Sequence, residues 1–146
     1  MVTTNFARQR LENDQVSLGV GLRIARTVEV AKAMRTAGFD WLFIDLEHGS
    51  IPLDVAANLS VAALDAGITP IVRVPHGEYG MATRALDTGA LGIVMPHVDT
   101  PEEAKEVVAR LRFPPIGHRS VGYAYAPLDF RPVSTKEAAP LLNAAT

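Results

Sequence analysis

An alternation along the chain narrows its possible folds more than any other feature. Short apolar runs stand at 16–22 (VSLGVGL), 41–46 (WLFIDL), 68–74 (ITPIVRV) and 90–96 (ALGIVMP). Between and after them lie segments of helical period at 27–38, 52–67, 78–89 and 100–112. Near-continuous apolar runs suit parallel strands covered by helices, and a strand-then-helix rhythm points to a parallel α/β sheet. The dipeptide AG or TG precedes each of the last three strands, at Gly38, Gly67 and Gly89. That is the signature of a helix closed by a glycine in the left-handed conformation, three times over. The helix starts are marked as well. Thr27 is a candidate N-cap, Pro52 sits near a first turn, and Thr100-Pro101-Glu102-Glu103 supplies cap, first-turn proline and acids in order. The helix at 78–89 is weakened by Gly80.

The rhythm stops after Arg112. FPPIGHRSVGYAYAPLDFRPVS is rich in proline, glycine and aromatics and reads as a long ordered loop, in which Tyr123 and Tyr125 are most simply packing residues. TKEAAPLLNAA then begins another helix, with Pro140 arguing against a long one.

Composition removes several classes of function. There are no cysteines among the 146 residues, so disulfides, thiolate metal sites and cysteine nucleophiles are excluded and a reducing cytoplasm fits. The net charge of -2 with scattered Lys and Arg shows no basic stripe for nucleic acid or membrane. No apolar run approaches the ~20 residues that cross a bilayer, and MVTTNFARQRLENDQ lacks the apolar stretch of a secretory signal. A mean hydropathy of +0.14 is that of a globular chain, one domain or part of one.

In parallel α/β folds ligands bind at the carboxyl ends of the strands. The second strand here ends in Asp45-Leu46-Glu47-His48-Gly49, the third in Arg73-Val74-Pro75-His76, the fourth in Met95-Pro96-His97. Ionisable groups therefore gather on one rim. Alternation puts Asp45 and Glu47 on the same side, and Arg73 is placed to pair with either. A buried salt-bridge network accounts for such a cluster without any chemistry; repetition at three strand ends favours a site. His76 and His97 read more simply as rim or solvent-facing residues. Asp87 falls late in a helix, where an acid opposes the dipole, so it is either exposed or matched by a tertiary or intersubunit partner. Arg119 in the long loop is placed to bind an anion or pair across an interface. There is no P-loop and no GxGxxG, and GVG at 19–21 is too short to mark a nucleotide site.

The stretches FDWLFIDLEHG, PIVRVP, RALDTGALGIVMPHVDTPEEA and PPIGHRS, in this order and spacing, resemble the HpcH/HpaI aldolase family. The resemblance covers almost the whole chain. It implies a (β/α)₈ barrel of which residues 1–146 are the N-terminal part of a single domain, with about four βα units present and no second domain. It also implies a lyase that splits a 4-hydroxy-2-oxo acid into pyruvate and an aldehyde through a pyruvate enolate, with a divalent cation (Mg²⁺, Mn²⁺ or Co²⁺). In that pattern His48 looks like the residue of proton transfer and Asp87 like the acid that pairs with it. Arg73 looks like the holder of the keto oxygen, and Asp45 like a second acid near the metal-bound water. The chemistry agrees, because an enolate needs fixed positive charge and aldol cleavage needs a base.

The family's metal ligands, a Glu and an Asp on later strands, are expected beyond Thr146, so none is expected within this chain, and Glu47 matches the EHG motif instead. An incomplete chain is favoured over a true half-barrel, which would leave sheet edges and apolar faces uncovered. The alternatives are a citrate-lyase-like or decarboxylating enzyme on the same barrel, and a truncated non-catalytic module. Expected partners are a small 2-oxo acid and an aldehyde. The resemblance pairs Asp87 with His48, yet the strand that carries His48 ends at one rim and the helix that carries Asp87 runs back toward the other; either Asp87 comes from a neighbouring subunit or that helix is shorter than 78–89, and a homo-oligomer is expected.

Overall fold

The computed structural model describes residues 3–122 and 124–146, so the reading of Tyr123 lies outside the described residues. Four parallel strands, β1 (Gly19–Leu22), β2 (Trp41–Asp45), β3 (Thr69–Arg73) and β4 (Gly92–Val94), form one sheet in the order of the sequence. The helices that follow them are α2 (Glu29–Thr36), α3 (Leu53–Ala66), α4 (Tyr79–Asp87) and α5 (Pro101–Leu111). The expected α/β alternation is present.

Period-2 alternation divides the sheet into two faces. Leu42, Ile44 and Val72 are fully buried on one face, where Ala31, Ala56, Leu59, Ala63, Ala82 and Ala85 of the helices meet them. Small helix residues let the helices lie close to the strands. The other face carries Trp41, Phe43 and Ile71, each only partly buried. The Trp41 and Phe43 rings meet edge to face at 6.4 Å. Gly19 pairs with Trp41 across the ladder, and a Cβ there would run into the indole, so only glycine fits beneath that ring.

The caps follow the sequence in part. Thr100 and Glu103 form a reciprocal capping box at the start of α5, with Pro101 in the first turn. Gly67 closes α3 in the left-handed region at φ 71°, and its NH bonds to the C=O of Leu64. Thr27 is not the N-cap of α2, which begins after Val28 with no side-chain cap.

Two helices lie outside the βα rhythm. The polar N-terminal segment folds as α1 (Phe6–Glu12), capped by Asn5, whose side chain accepts from the NH of Arg8. It closes the amino end of the sheet. The NH of Ala7 donates to Thr69 Oγ1, and Asn5 Nδ2 donates to the carbonyls of Leu91 and Ala145. At the other end of the chain, α6 (Thr135–Ala145) runs through Pro140 instead of stopping short of it. Pro140 and Lys136, whose carbonyl loses its intrahelical partner, are both exposed residues. The inner side of α6 packs Ala138 and Leu142 against Phe113, Tyr125 and Leu128, which gives the long loop a small core of its own. Tyr125 is thus a packing residue, and its hydroxyl accepts from the NH of Gly122.

Candidate active site

The strand mouths of this sheet hold a connected set of charges centred on Asp45. Asp45 ends β2 and is 1% exposed. Because it sits opposite Arg73 in the β2–β3 ladder, the two side chains emerge together. Arg73 Nε donates to Asp45 Oδ1 at 3.0 Å and Nη2 to Oδ2 at 2.6 Å, a bidentate pair. The NH groups of Glu47 and His48 also donate to Oδ1, at 3.0 and 3.1 Å, in an Asx-type turn that folds the EHG segment back over the strand end. Arg23, just past β1, donates its Nε to Oδ2 at 3.2 Å. The hydrogen bond from Arg73, supported by the NH groups of His48 and Glu47 and by the charge of Arg73, holds the Asp45 carboxyl well below the usual carboxylate range against the opposing effect of burial. The same bond raises the Arg73 guanidinium above its ordinary value.

Glu47 joins this pair to the histidines. Its carboxylate is 3.3 Å from Arg73 Nε, 3.6 Å from His48 Nε2 and 3.8 Å from His97 Nε2. His97 has a left-handed φ of 54°, which histidine adopts more readily than most L residues. Its ring meets that of His76 edge to face at 6.1 Å, while His76 Nδ1 lies 3.0 Å from the carbonyl of Pro96. Arg73 also lies over the Phe43 ring at 5.2 Å, so one arginine links the apolar inner face to the charged rim. Gly49 sets how close the loops come. A Cβ there would stand 2.6 Å from the carbonyl oxygen of Arg23 and 2.8 Å from that of Asp45.

Asp45, His48 and Arg73 therefore come together at the carboxyl end of the sheet, and the salt-bridge network among them is real. Asp87 does not join them. It ends α4, and its carboxylate accepts from Arg119 Nη2. Arg119 pairs within the chain; its side chain is 3% exposed and stacks on Phe113 at 4.4 Å, while its Nε has no partner. The pair offsets the unfavourable position of Asp87 at the negative end of a helix. Sequence reasoning passed over Arg23. The rule that strand ends carry the chemistry, applied to β1 as it was to the other three strands, leads directly to LRIAR.

The residues present do not fit a divalent cation. No group of three His, Asp or Glu side chains among the described residues is placed to hold one. Asp45, the best-placed carboxylate, already accepts from five donors.

The chain belongs to the HpcH/HpaI aldolase/citrate lyase family, whose model matches residues 24–144. It is 39% identical over 146 residues to a 4-hydroxy-4-methyl-2-oxoglutarate aldolase of Chaetomium globosum, covering 99% of this chain and 54% of that protein. It is 38% identical to a hydroxypyruvate/pyruvate aldolase of Roseobacter denitrificans, covering 82% of this chain and 46% of the other. The crystal structure of an HpcH/HpaI aldolase from Desulfitobacterium hafniense superposes with a TM-score of 0.86 at 29% identity, over 94% of this chain and 53% of that one. The chain spans about half the length of the curated relatives it matches. No helix among the described residues is long and apolar enough to cross a membrane.

Proposed function

We propose that this chain is the half of a barrel domain that binds and activates the oxo acid in an aldol lyase, which splits a 4-hydroxy-2-oxo acid into pyruvate and a carbonyl product. The observation that carries the reading is the bidentate Arg73–Asp45 pair at the strand mouth. It fixes a guanidinium fork that has a further edge for an incoming oxygen. Arg73 holds the keto oxygen and stabilises the negative charge that develops there as the enolate forms. Asp45 keeps Arg73 in place and does not take part in proton transfer. His48, 58% exposed beside Glu47, takes the proton of the 4-hydroxyl group as the bond between C3 and C4 breaks. The bonding electrons pass to the enolate, and a proton returned to C3 completes pyruvate.

In this reading Asp87, which among the described residues pairs with Arg119 and not with His48 of its own chain, orients the His48 of a neighbouring subunit, and the protein works as a homo-oligomer. The divalent cation associated with this family would supply Lewis acidity. Its ligands would come from strands other than the four described here. The relatives named as aldolases of 4-hydroxy-4-methyl-2-oxoglutarate and of hydroxypyruvate support a small 2-oxo acid as substrate. The test is pyruvate release from 4-hydroxy-4-methyl-2-oxoglutarate by a protein carrying the whole barrel, followed by coupled reduction to lactate with added Mg²⁺, Mn²⁺ or Co²⁺. Cleavage that survives Arg73→Lys unchanged contradicts the reading.

A further inference from the structure

The PPIGHRS stretch has no part in the chemistry at the strand mouth, yet its backbone is held closely. The NH of His118 donates to the carbonyl of Ala109 at 2.8 Å and that of Arg119 to the carbonyl of Arg112 at 2.9 Å, so the chain folds back on the end of α5. Gly117 permits this turn, because a Cβ there would collide with the carbonyl oxygens of Ala109 and Arg112. What the turn delivers is the Arg119 guanidinium. It lies over the Phe113 ring, 3% exposed, and its Nη2 donates to Asp87 Oδ1. Two other titratable groups lie close by. Arg112 spends its terminal nitrogens on the main-chain oxygens of Asn143 and Thr146, and the Tyr125 hydroxyl accepts the NH of Gly122 at 2.6 Å.

Asp87 is held from its own helix as well. Thr88 closes the last turn of α4, its NH and Oγ1 both donating to the carbonyl of Arg84, at 3.1 and 2.8 Å. Gly89 follows at φ 128°, where a Cβ would stand 3.1 Å from Ser60 Cβ, so the end of α4 rests on α3. The backbone and Oδ1 of Asp87 are thus fixed, while Oδ2 has no hydrogen-bond partner among the described residues and the side chain is 36% exposed. One carboxylate oxygen is anchored and the other is offered outward. We propose that Arg119 is a positioning residue, which holds Asp87 so that its free oxygen meets the ring NH of His48 in a neighbouring subunit. This rests on the function proposed above, which gives Asp87 that partner. A carboxylate left to its own torsions would turn away from the imidazole, and a misplacement of about 1 Å costs up to about 10²-fold in rate.

The test is a double-mutant cycle in a protein carrying the whole barrel, read as pyruvate release from 4-hydroxy-4-methyl-2-oxoglutarate with Mg²⁺. Arg119→Met, which keeps the length but not the charge, lowers kcat about tenfold and leaves KM within about twofold, because Arg73 still takes the oxo acid. In the Asp87→Asn background the same change costs less than about twofold, since the group it positions is already gone. Arg119→Lys keeps the buried charge without the planar fork and recovers part of the loss. Should Arg119→Met not fold, Arg119→Lys carries the cycle, with a loss of about threefold in kcat that is absent from the Asp87→Asn background. An equal loss in both backgrounds, or parental kcat in the Arg119 variants, overturns the positioning role and leaves the proposed function standing. Parental kcat in Asp87→Asn overturns the role proposed for Asp87, and this inference with it.

Discussion

Replacing Asp45 by Asn tests the cluster at its centre. The carboxylate is buried and accepts five hydrogen bonds, three from guanidinium nitrogens and two from backbone NH groups. The amide is nearly isosteric, but it removes the countercharge of Arg73 and turns one acceptor into a donor that faces donors. Breaking a buried ion pair on one side costs about 3–5 kcal/mol. Arg73 is 22% and Arg23 59% exposed, so water recovers part of this, and a loss of about 3 kcal/mol is expected. For a chain of this size that corresponds to a fall of roughly 6–12 °C in Tm. Urea denaturation monitored by circular dichroism reads it directly, with an unchanged m-value showing that the same surface unfolds. The pH dependence has a definite sign. The Asp45 carboxyl lies lower in the folded state than in the unfolded chain, so its contribution is present above its ordinary value of about 4 and is lost as pH falls below it. Asp45→Asn should flatten that acid-side loss. A variant within about 0.5 kcal/mol of the parent, with the same acid slope, would refute the claim that Asp45 anchors the rim.

Other changes probe the surroundings. Gly49→Ala forces a methyl against the carbonyls of Arg23 and Asp45, so it should destabilise the chain by about 1–3 kcal/mol in urea denaturation. Asp87→Asn leaves Arg119, 3% exposed, without its countercharge, and thermal unfolding should show a loss of about 2–4 kcal/mol, a little less than for a fully buried pair because Asp87 is 36% exposed.

The sheet was legible because its signals are local: apolar runs for β1 to β4, helical period between them, and glycine stops at Gly38, Gly67 and Gly89, all of which have positive φ. The rim was legible as a place, since strand ends deliver Asp45, Arg73 and His97 to one side of the sheet. What could not be read depends on contacts distant in sequence. The helix α1 is short and polar, and is held by bonds from Asn5 and Ala7 to residues 62 or more positions away. The partner of Asp87 lies 32 residues on, in a loop without periodicity. The approach of His97 to Glu47 accompanies a left-handed residue after β4 that its sequence does not announce. Pro140 misled in the other direction, because its cost depends on whether the freed carbonyl reaches water.

In the proposed function Arg73, fixed by Asp45, stabilises a pyruvate enolate. Exchange of the pyruvate methyl protons for deuterium in D₂O, followed by ¹H NMR in a protein carrying the whole barrel, measures enolate formation without any aldehyde. Measurable exchange is expected in the parent, with a loss of about 10²-fold in Arg73→Lys, the usual effect of removing one fixed donor to a developing oxyanion. Exchange at the parental rate in Arg73→Lys would contradict it.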